Sequence, residues 1–271
     1  MDSVTTSIGP RLFNWGARAL YLGPPLNLSP HRNAVAVLAV AFEGSFKVAN
    51  DASRPANGYT RCRVAIVPPN TLHHFTDTDG PMAFLYLDAR SDDLKRLLER
   101  AVSHQRRASF GLQRENEVID CLRALYRNQM PWSSARVDLS TILGFGGRRQ
   151  VDPRVRRTLD LLHAHPAARL SMAELSLHVS LSPSRFIHLF KETTGVPLRR
   201  YKLWLAMGAA LRSLAKGDNL TDAAMNGGFS SPAHFSASFR EMFGLEPSRL
   251  IPGGVAERAR SPRRKTAAAS F

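Results

Sequence analysis

Cysteine is scarce: among 271 residues there are two, Cys62 and Cys121, too few for a disulfide framework or a zinc-ligand cluster. Free thiols fit a reducing, cytoplasmic setting. No stretch approaches the roughly 18 consecutive apolar residues of a membrane span, and the N-terminus lacks the basic start and apolar run of a secretory signal. A soluble chain without a membrane partner is expected. Catalytic signatures are missing too: there is no phosphate-cradling glycine loop, no Ser/His/Asp or Cys/His constellation and no clustered pair of carboxylates. The expectation is a protein that is not an enzyme and needs no cofactor.

Acidic residues are the other shortage. Against 37 Lys and Arg stand 22 Asp and Glu, a formal charge of +15. The imbalance is uneven, with 17 basic against 13 acidic residues in 1–147 and 20 against 9 in 148–271. A basic rear half suits a polyanion, either nucleic acid or an anionic membrane surface.

What the chain does have is an internal duplication about fifty residues apart. The first copy reads Ser182-Pro183-Ser184-Arg185-Phe186, then Phe190-Lys191, then Gly195-Val196-Pro197. The second reads Ser231-Pro232-Ala233-His234-Phe235, then Phe239-Arg240, then Phe243-Gly244 and Pro247. Serine before proline starts a helix, because the hydroxyl accepts a free backbone N–H and proline fits the first turn, where its missing donor costs nothing. Apolar residues then recur at helical spacing, so one stripe of each helix is buried. The glycines suit a left-handed position just past each helix end. Ahead of each copy lies another helical segment, 171–179 and 220–226, joined by a short turn at Ser180-Leu181 and at Gly227-Gly228-Phe229. Helix, tight turn and helix with an outward polar face is the helix-turn-helix layout, whose second helix enters the major groove.

Outward positions supply the candidate readers. Ser184, Arg185 and His188 in the first helix, and His234 and Ser236 in the second, are candidates for base edges. Lys191 and Arg240 sit later on their helices and are candidates for phosphate, which positions a protein without reading sequence. For Arg185, guanine recognition and a phosphate contact remain alternatives, and His188 and His234 read equally as ordinary surface histidines.

The front half alternates short apolar runs with turns, giving expected strands at 34–42, 45–48, 63–67 and 82–87. Helices are expected at 92–103, carrying Leu94, Leu97, Leu98, Ala101 and Val102 on one side, and at 115–128 around Val118 and Leu122. The expected class is α+β: a small N-terminal β-barrel with flanking helices, then an all-α domain of two helix-turn-helix units joined by a spacer helix near 198–214. The boundaries follow composition: a front domain at 1–147, a linker at 148–152, a DNA-binding domain at 153–252 and a disordered basic tail at 253–271.

Over about 159–250 the chain resembles the AraC/XylS family of bacterial transcription regulators. Leu181-Ser182-Pro183-Ser184-Arg185-Phe186, Leu189 to Gly195 and Tyr201 carry the first part of the likeness. Gly228-Phe229, His234-Phe235, Phe239-Arg240, Phe243-Gly244 and Pro247 carry the second. Leu22-Gly23-Pro24, His31, Glu43-Gly44-Ser45-Phe46 and Val67 to His73 are similar to cupin-like sensor domains of part of that family. The resemblance implies a seven-helix DNA-binding domain with two recognition helices in successive major-groove segments. It also implies double-stranded DNA and RNA polymerase as partners, a small-molecule effector in the front domain and a homodimer seam near Val118 and Leu122. Many relatives carry arginine at the positions of Ala206 and Ala237, so the first unit is expected to dominate specificity.

His31 and His73 are the candidates for lining an effector pocket, or else for satisfying backbone groups near turns. With His74, and with Glu43 as a possible carboxylate, they raise the question of a metal, but the first strand lacks a His-x-His pair, so no metal is expected. The leading reading is a sequence-specific transcriptional regulator. Its competitors are a metal-dependent cupin enzyme with an appended basic domain and a nonspecific nucleic-acid binder.

Overall fold

The computed structural model describes residues 9–16, 18–49, 58–78, 80–105, 107–146, 151–168 and 170–249. The basic tail and most of the expected linker lie outside these residues.

Strand-forming Val, Ile, Leu and Ala build a seven-stranded antiparallel sheet from β1 (Arg11–Trp15), β2 (Arg18–Gly23), β4 (Ala36–Ala41), β7 (Val64–Val67), β9 (Met82–Leu87), β10 (Ala101–Gln105) and β11 (Ala108–Leu112). Their order is β1-β2-β9-β4-β7-β11-β10. All six positions of β4 and all four of β7 are buried. Alternation along these runs sorts the side chains by face. Leu20, Leu22, Leu38, Val40, Ile66 and Leu85 point to one core, and Tyr21, Val37, Ala39, Ala65, Val67 and Phe84 point to another. The first core is closed by α2 (Glu115–Tyr126) and α3 (Trp132–Leu143).

A four-stranded sheet holds β3 (His31–Arg32), β8 (Leu72–Thr76), β5 (Phe46–Ala49) and β6 (Thr60–Cys62), in that order. The two sheets share no strand among the described residues, so the expected barrel is instead a pair of open antiparallel sheets. The chain leaves one ladder for the other at turns that cannot continue pairing. Gly44 takes φ 62° between β4 and β5. Pro68 and Pro69, which have no N–H to donate, stand with left-handed Asn70 between β7 and β8.

Two further expectations for this half need correction. The helix expected at 92–103 ends early: α1 spans Asp93–Arg100, and Ala101 and Val102 open β10, leaving Val102 exposed. Cross-strand pairing with β11 outweighs the helical spacing there. Val118 and Leu122 pack into the domain's own core beside Ala135 and Leu139, so these side chains are not free to form a dimer seam.

The rear half holds α4 (Pro153–Ala164), α5 (Met172–His178), α6 (Pro183–Thr194), α7 (Leu198–Ala215), α8 (Leu220–Asn226) and α9 (Pro232–Phe243), followed by a 3-10 turn at Pro247–Arg249. The spacer α7 is buried on more than one side. Tyr201 and Leu205 pack with Phe186 and Phe190 of α6, while Met207 and Ala210 pack with Phe235 and Phe239 of α9. The second of these cores is continuous with Tyr21, Val37 and Phe84 of the front sheet. Front domain and second unit therefore share one hydrophobic core. Full burial of each such aromatic contributes about 1.5–3 kcal/mol relative to leaving it exposed.

Candidate nucleic-acid interface

The two units are built by the same local chemistry. Ser182 Oγ accepts the N–H of Arg185 at 3.4 Å, and Ser231 Oγ accepts that of His234 at 3.1 Å. Pro183 and Pro232 occupy the first turn, and Gly195 and Gly244 end the helices at φ 73° in both cases. The turns match as well. The N–H of Leu181 bonds the Ser176 carbonyl at 3.0 Å, and that of Phe229 bonds the Ala224 carbonyl at 3.0 Å. The residue before each is left-handed, Ser180 at φ 55° and Gly228 at φ 81°. In both units a side chain caps the first helix: Ser171 forms a reciprocal capping box with Glu174, and Asn219 Oδ1 accepts the N–H of Asp222 at 2.9 Å.

Burial then separates the apolar anchors from the exposed candidates. Phe186 and Phe190 in α6, and Phe235, Phe239 and Met242 in α9, are fully buried. Ser184, Arg185, His188 and Lys191 are exposed, as are His234, Ala237 and Arg240, and Ser236 is half-buried. Arg185, His188 and Lys191 make no side-chain hydrogen bond or ion pair among the described residues. The second helix is more engaged. His234 Nδ1 lies 3.0 Å from Ser230 Oγ, its ring packs edge-on to Phe229, and Arg240 pairs with Glu246 at 2.8 Å. That ion pair is half-exposed and worth little, so a phosphate can displace it.

Ile187 was missed as a surface residue. It is 37% exposed on α6, beside the candidate readers, where an apolar group can meet a thymine methyl. A helical projection carries the signal, because one residue's 100° step moves Ile187 off the stripe that Phe186 and Phe190 define.

The front domain holds the opposite side of this layer. The Ser29 N–H bonds the Gly244 carbonyl at 2.8 Å, and Arg200 of α7 donates to the Arg32 carbonyl at 2.5 Å. Tyr86 packs on Trp204 and Phe243, with ring centroids 5.6 Å apart in both contacts. Tyr201 Oη donates to Asp88 at 2.8 Å, and Arg90 pairs with Asp160 at 3.0 Å. Sequence reasoning found none of these contacts, since each joins residues far apart in the chain.

His31 and His73 face each other across the β3–β8 pair, with rings 4.3 Å apart, and both are buried. Their Nδ1 atoms lie 2.8 Å from the carbonyls of Ser29 and Thr71. Neither lines the cavity between the domains, and both rings are held to turn carbonyls. Glu43 is taken by Arg127 at 2.6 Å. No cluster of three or more potential metal ligands occurs among the described residues.

Residues 175–251 match a helix-turn-helix domain family. A probable transcriptional regulator, LumQ of Photobacterium leiognathi, is 28% identical over 169 residues, 62% of each chain. The regulatory protein PocR of Salmonella typhimurium is 29% identical over 97 residues, 35% of this chain and 32% of that protein. Residues 175–251 thus form a helix-turn-helix domain. The matches thus span less than two thirds of these relatives' lengths. ToxT of Vibrio cholerae has a similar fold across both halves: TM-score 0.56 at 11% identity, covering 87% of this chain and 98% of that one. An unsaturated fatty acid bound form of ToxT gives TM-score 0.56 at 12% identity, covering 88% of this chain and 96% of that one. The helix-turn-helix domain here therefore sits behind a sheet-rich front domain, in a fold of the ToxT kind.

Proposed function

We propose that the chain is a sequence-specific DNA-binding transcriptional regulator that places α6 and α9 in successive major-groove segments. The observation that carries this reading is the matched pair of caps and turns presenting two polar helix faces to solvent while their apolar backs are buried. Arg185, His188 and Ser184 read base edges in one segment, and His234 and Ser236 read fewer in the other. Lys191 and Arg240 hold phosphates. RNA polymerase and a second copy of the chain are the protein partners this reading implies.

The metal-dependent enzyme alternative is unsupported. The histidines it needs are tied to backbone carbonyls, and its carboxylate is tied to an arginine. Control by a small molecule belongs to the same proposal. The fatty acid bound to ToxT motivates it, and a cavity between the domains supports it.

Selection of bound sequences from a random duplex library tests the reading. Two short enriched blocks about one helical turn, roughly 34 Å, apart are expected. Arg185→Ala relaxes preference within one block, by about 1–3 kcal/mol if the contact is bidentate to guanine. Enrichment without any ordered site would leave only the nonspecific binder.

A further inference from the structure

A cavity of about 270 Å³ lies between the front sheet and α7, with Phe13, Tyr21, Tyr86, Trp204 and Phe243 among its walls. Its polar lining is sparse. Arg18 gives both ends of its guanidinium to Asp93, at 2.6 and 2.8 Å, and stacks over Trp15 and Phe145. Its charge is already matched. Arg212 is exposed at the rim.

Asp88, at the cavity edge, differs from both. The residue is buried; its Oδ1 accepts the Tyr201 hydroxyl at 2.8 Å and the Arg90 N–H at 3.0 Å. Its Oδ2 is buried without a hydrogen bond. His163 Nε2 comes within 3.4 Å of Oδ2 but is directed at Tyr201 Oη, 2.7 Å away. The single phenolic proton goes to Asp88, so Nε2 carries a hydrogen and donates it to the phenol oxygen. Oδ2 is thus left without a hydrogen bond, its nearest donor being His163 Nε2 at ion-pair distance, 3.4 Å. A buried acceptor without a partner is costly, and an incoming O–H or N–H relieves that cost.

We propose that this cavity binds a small apolar molecule whose polar end is a hydrogen-bond donor, a hydroxyl or an ammonium group, placed on Asp88 Oδ2. A carboxylate of the same shape is rejected there by like charge. The inference rests on the regulator reading and gives its effector a chemical class. It also gives the effector a route to the DNA-binding surface: Asp88 joins the front domain to Tyr201 of α7 and stands beside His163 of α4. A ligand on Asp88 favours the docked arrangement by its differential affinity for it.

Calorimetric titration of the full chain with naphthylmethanol, naphthylmethylamine and naphthoate near neutral pH tests the assignment. The alcohol or the amine is expected to bind at least about tenfold more tightly than naphthoate, the equivalent of about 1.4 kcal/mol. Asp88→Asn, which can still accept the Tyr201 hydroxyl, should abolish that ranking. Leu211→Trp, which fills the cavity and leaves the Asp88 carboxylate in the sequence, should weaken the preferred probe by at least about tenfold. This variant and the wild-type ranking keep the test valid if Asp88→Asn fails to fold. The proposal is overturned if naphthoate binds as well as the better of the other two, if none of the three binds, or if Leu211→Trp leaves binding unchanged. Probe-free mobility shifts on the same preparations separate the two ideas. Intact DNA preference with failed probe binding removes only the ligand class, whereas lost DNA preference removes the regulator reading itself.

Discussion

His31 and His73 show what two rings do once they are packed together out of water. Burial lowers His31 to about 4, against the pull of the Ser29 carbonyl. Burial, with the neighbouring His31 next in weight, lowers His73 to about 3. Both rings are therefore neutral in the fold, whereas in the unfolded chain they take up protons below about pH 6.5. As pH falls, the unfolded state binds more protons, so the contribution is whole above about pH 6.5 and is lost on the way down to the folded values. The thermal midpoint should fall as pH drops from about 6.5 to 4, by the equivalent of up to a few kcal/mol. A His31→Gln/His73→Gln variant should show a flatter profile in the same melts; an unchanged profile would place the titration elsewhere. The sequence marked both residues for attention but not their adjacency. That adjacency depends on β3, a strand of two residues, too short to leave a periodic trace.

Helices were legible because their ends are written in residues of special conformation. The starts at Pro153, Pro183 and Pro232 and the stops at Gly195 and Gly244 follow from proline's fixed φ and glycine's access to positive φ. α3 went unseen because Ser133, Ser134, Arg136, Asp138 and Ser140 blur its apolar stripe. β10 was hidden inside an apparent helix. The two recognition-helix stops also differ in a way no sequence shows. A Cβ on Gly195 would meet only Pro69, at 3.8 Å, but one on Gly244 would press to 2.4 Å from the Ser29 carbonyl oxygen and 2.7 Å from His31 Nδ1. Gly195→Ala should cost about 1 kcal/mol, the backbone penalty alone. Gly244→Ala should cost that and more, because the Ser29 contact must open. Urea denaturation of the two variants measures the difference, and equal losses would mean that the Ser29 corner yields freely.

Across the whole molecule, charge was readable and docking was not. The +11 excess of the rear half predicts that DNA affinity falls with salt, with a log–log slope near −5 if about six phosphates are engaged. Titrations of a selected site at several salt concentrations measure it, and an affinity indifferent to salt would contradict phosphate contact. How the halves meet depends on contacts such as Tyr86 with Phe243 and Asp88 with Tyr201, each spanning more than a hundred residues. Local pattern contains no record of such pairs. The apparent spacer α7 proved to be the member on which both units and the front sheet lean, which its mixed apolar surface disguised.

The shared core has a consequence for attempts to recombine such proteins. Phe235, Phe239 and Phe243 complete the packing of Tyr21, Phe84 and Tyr86, so a transplant that brings in another protein's sensing half severs an interior rather than a hinge. A working chimera would need to carry the Ser29–His31 corner and the Tyr86 surface along with the helix-turn-helix domain, as graft and rootstock must be cut to the same profile.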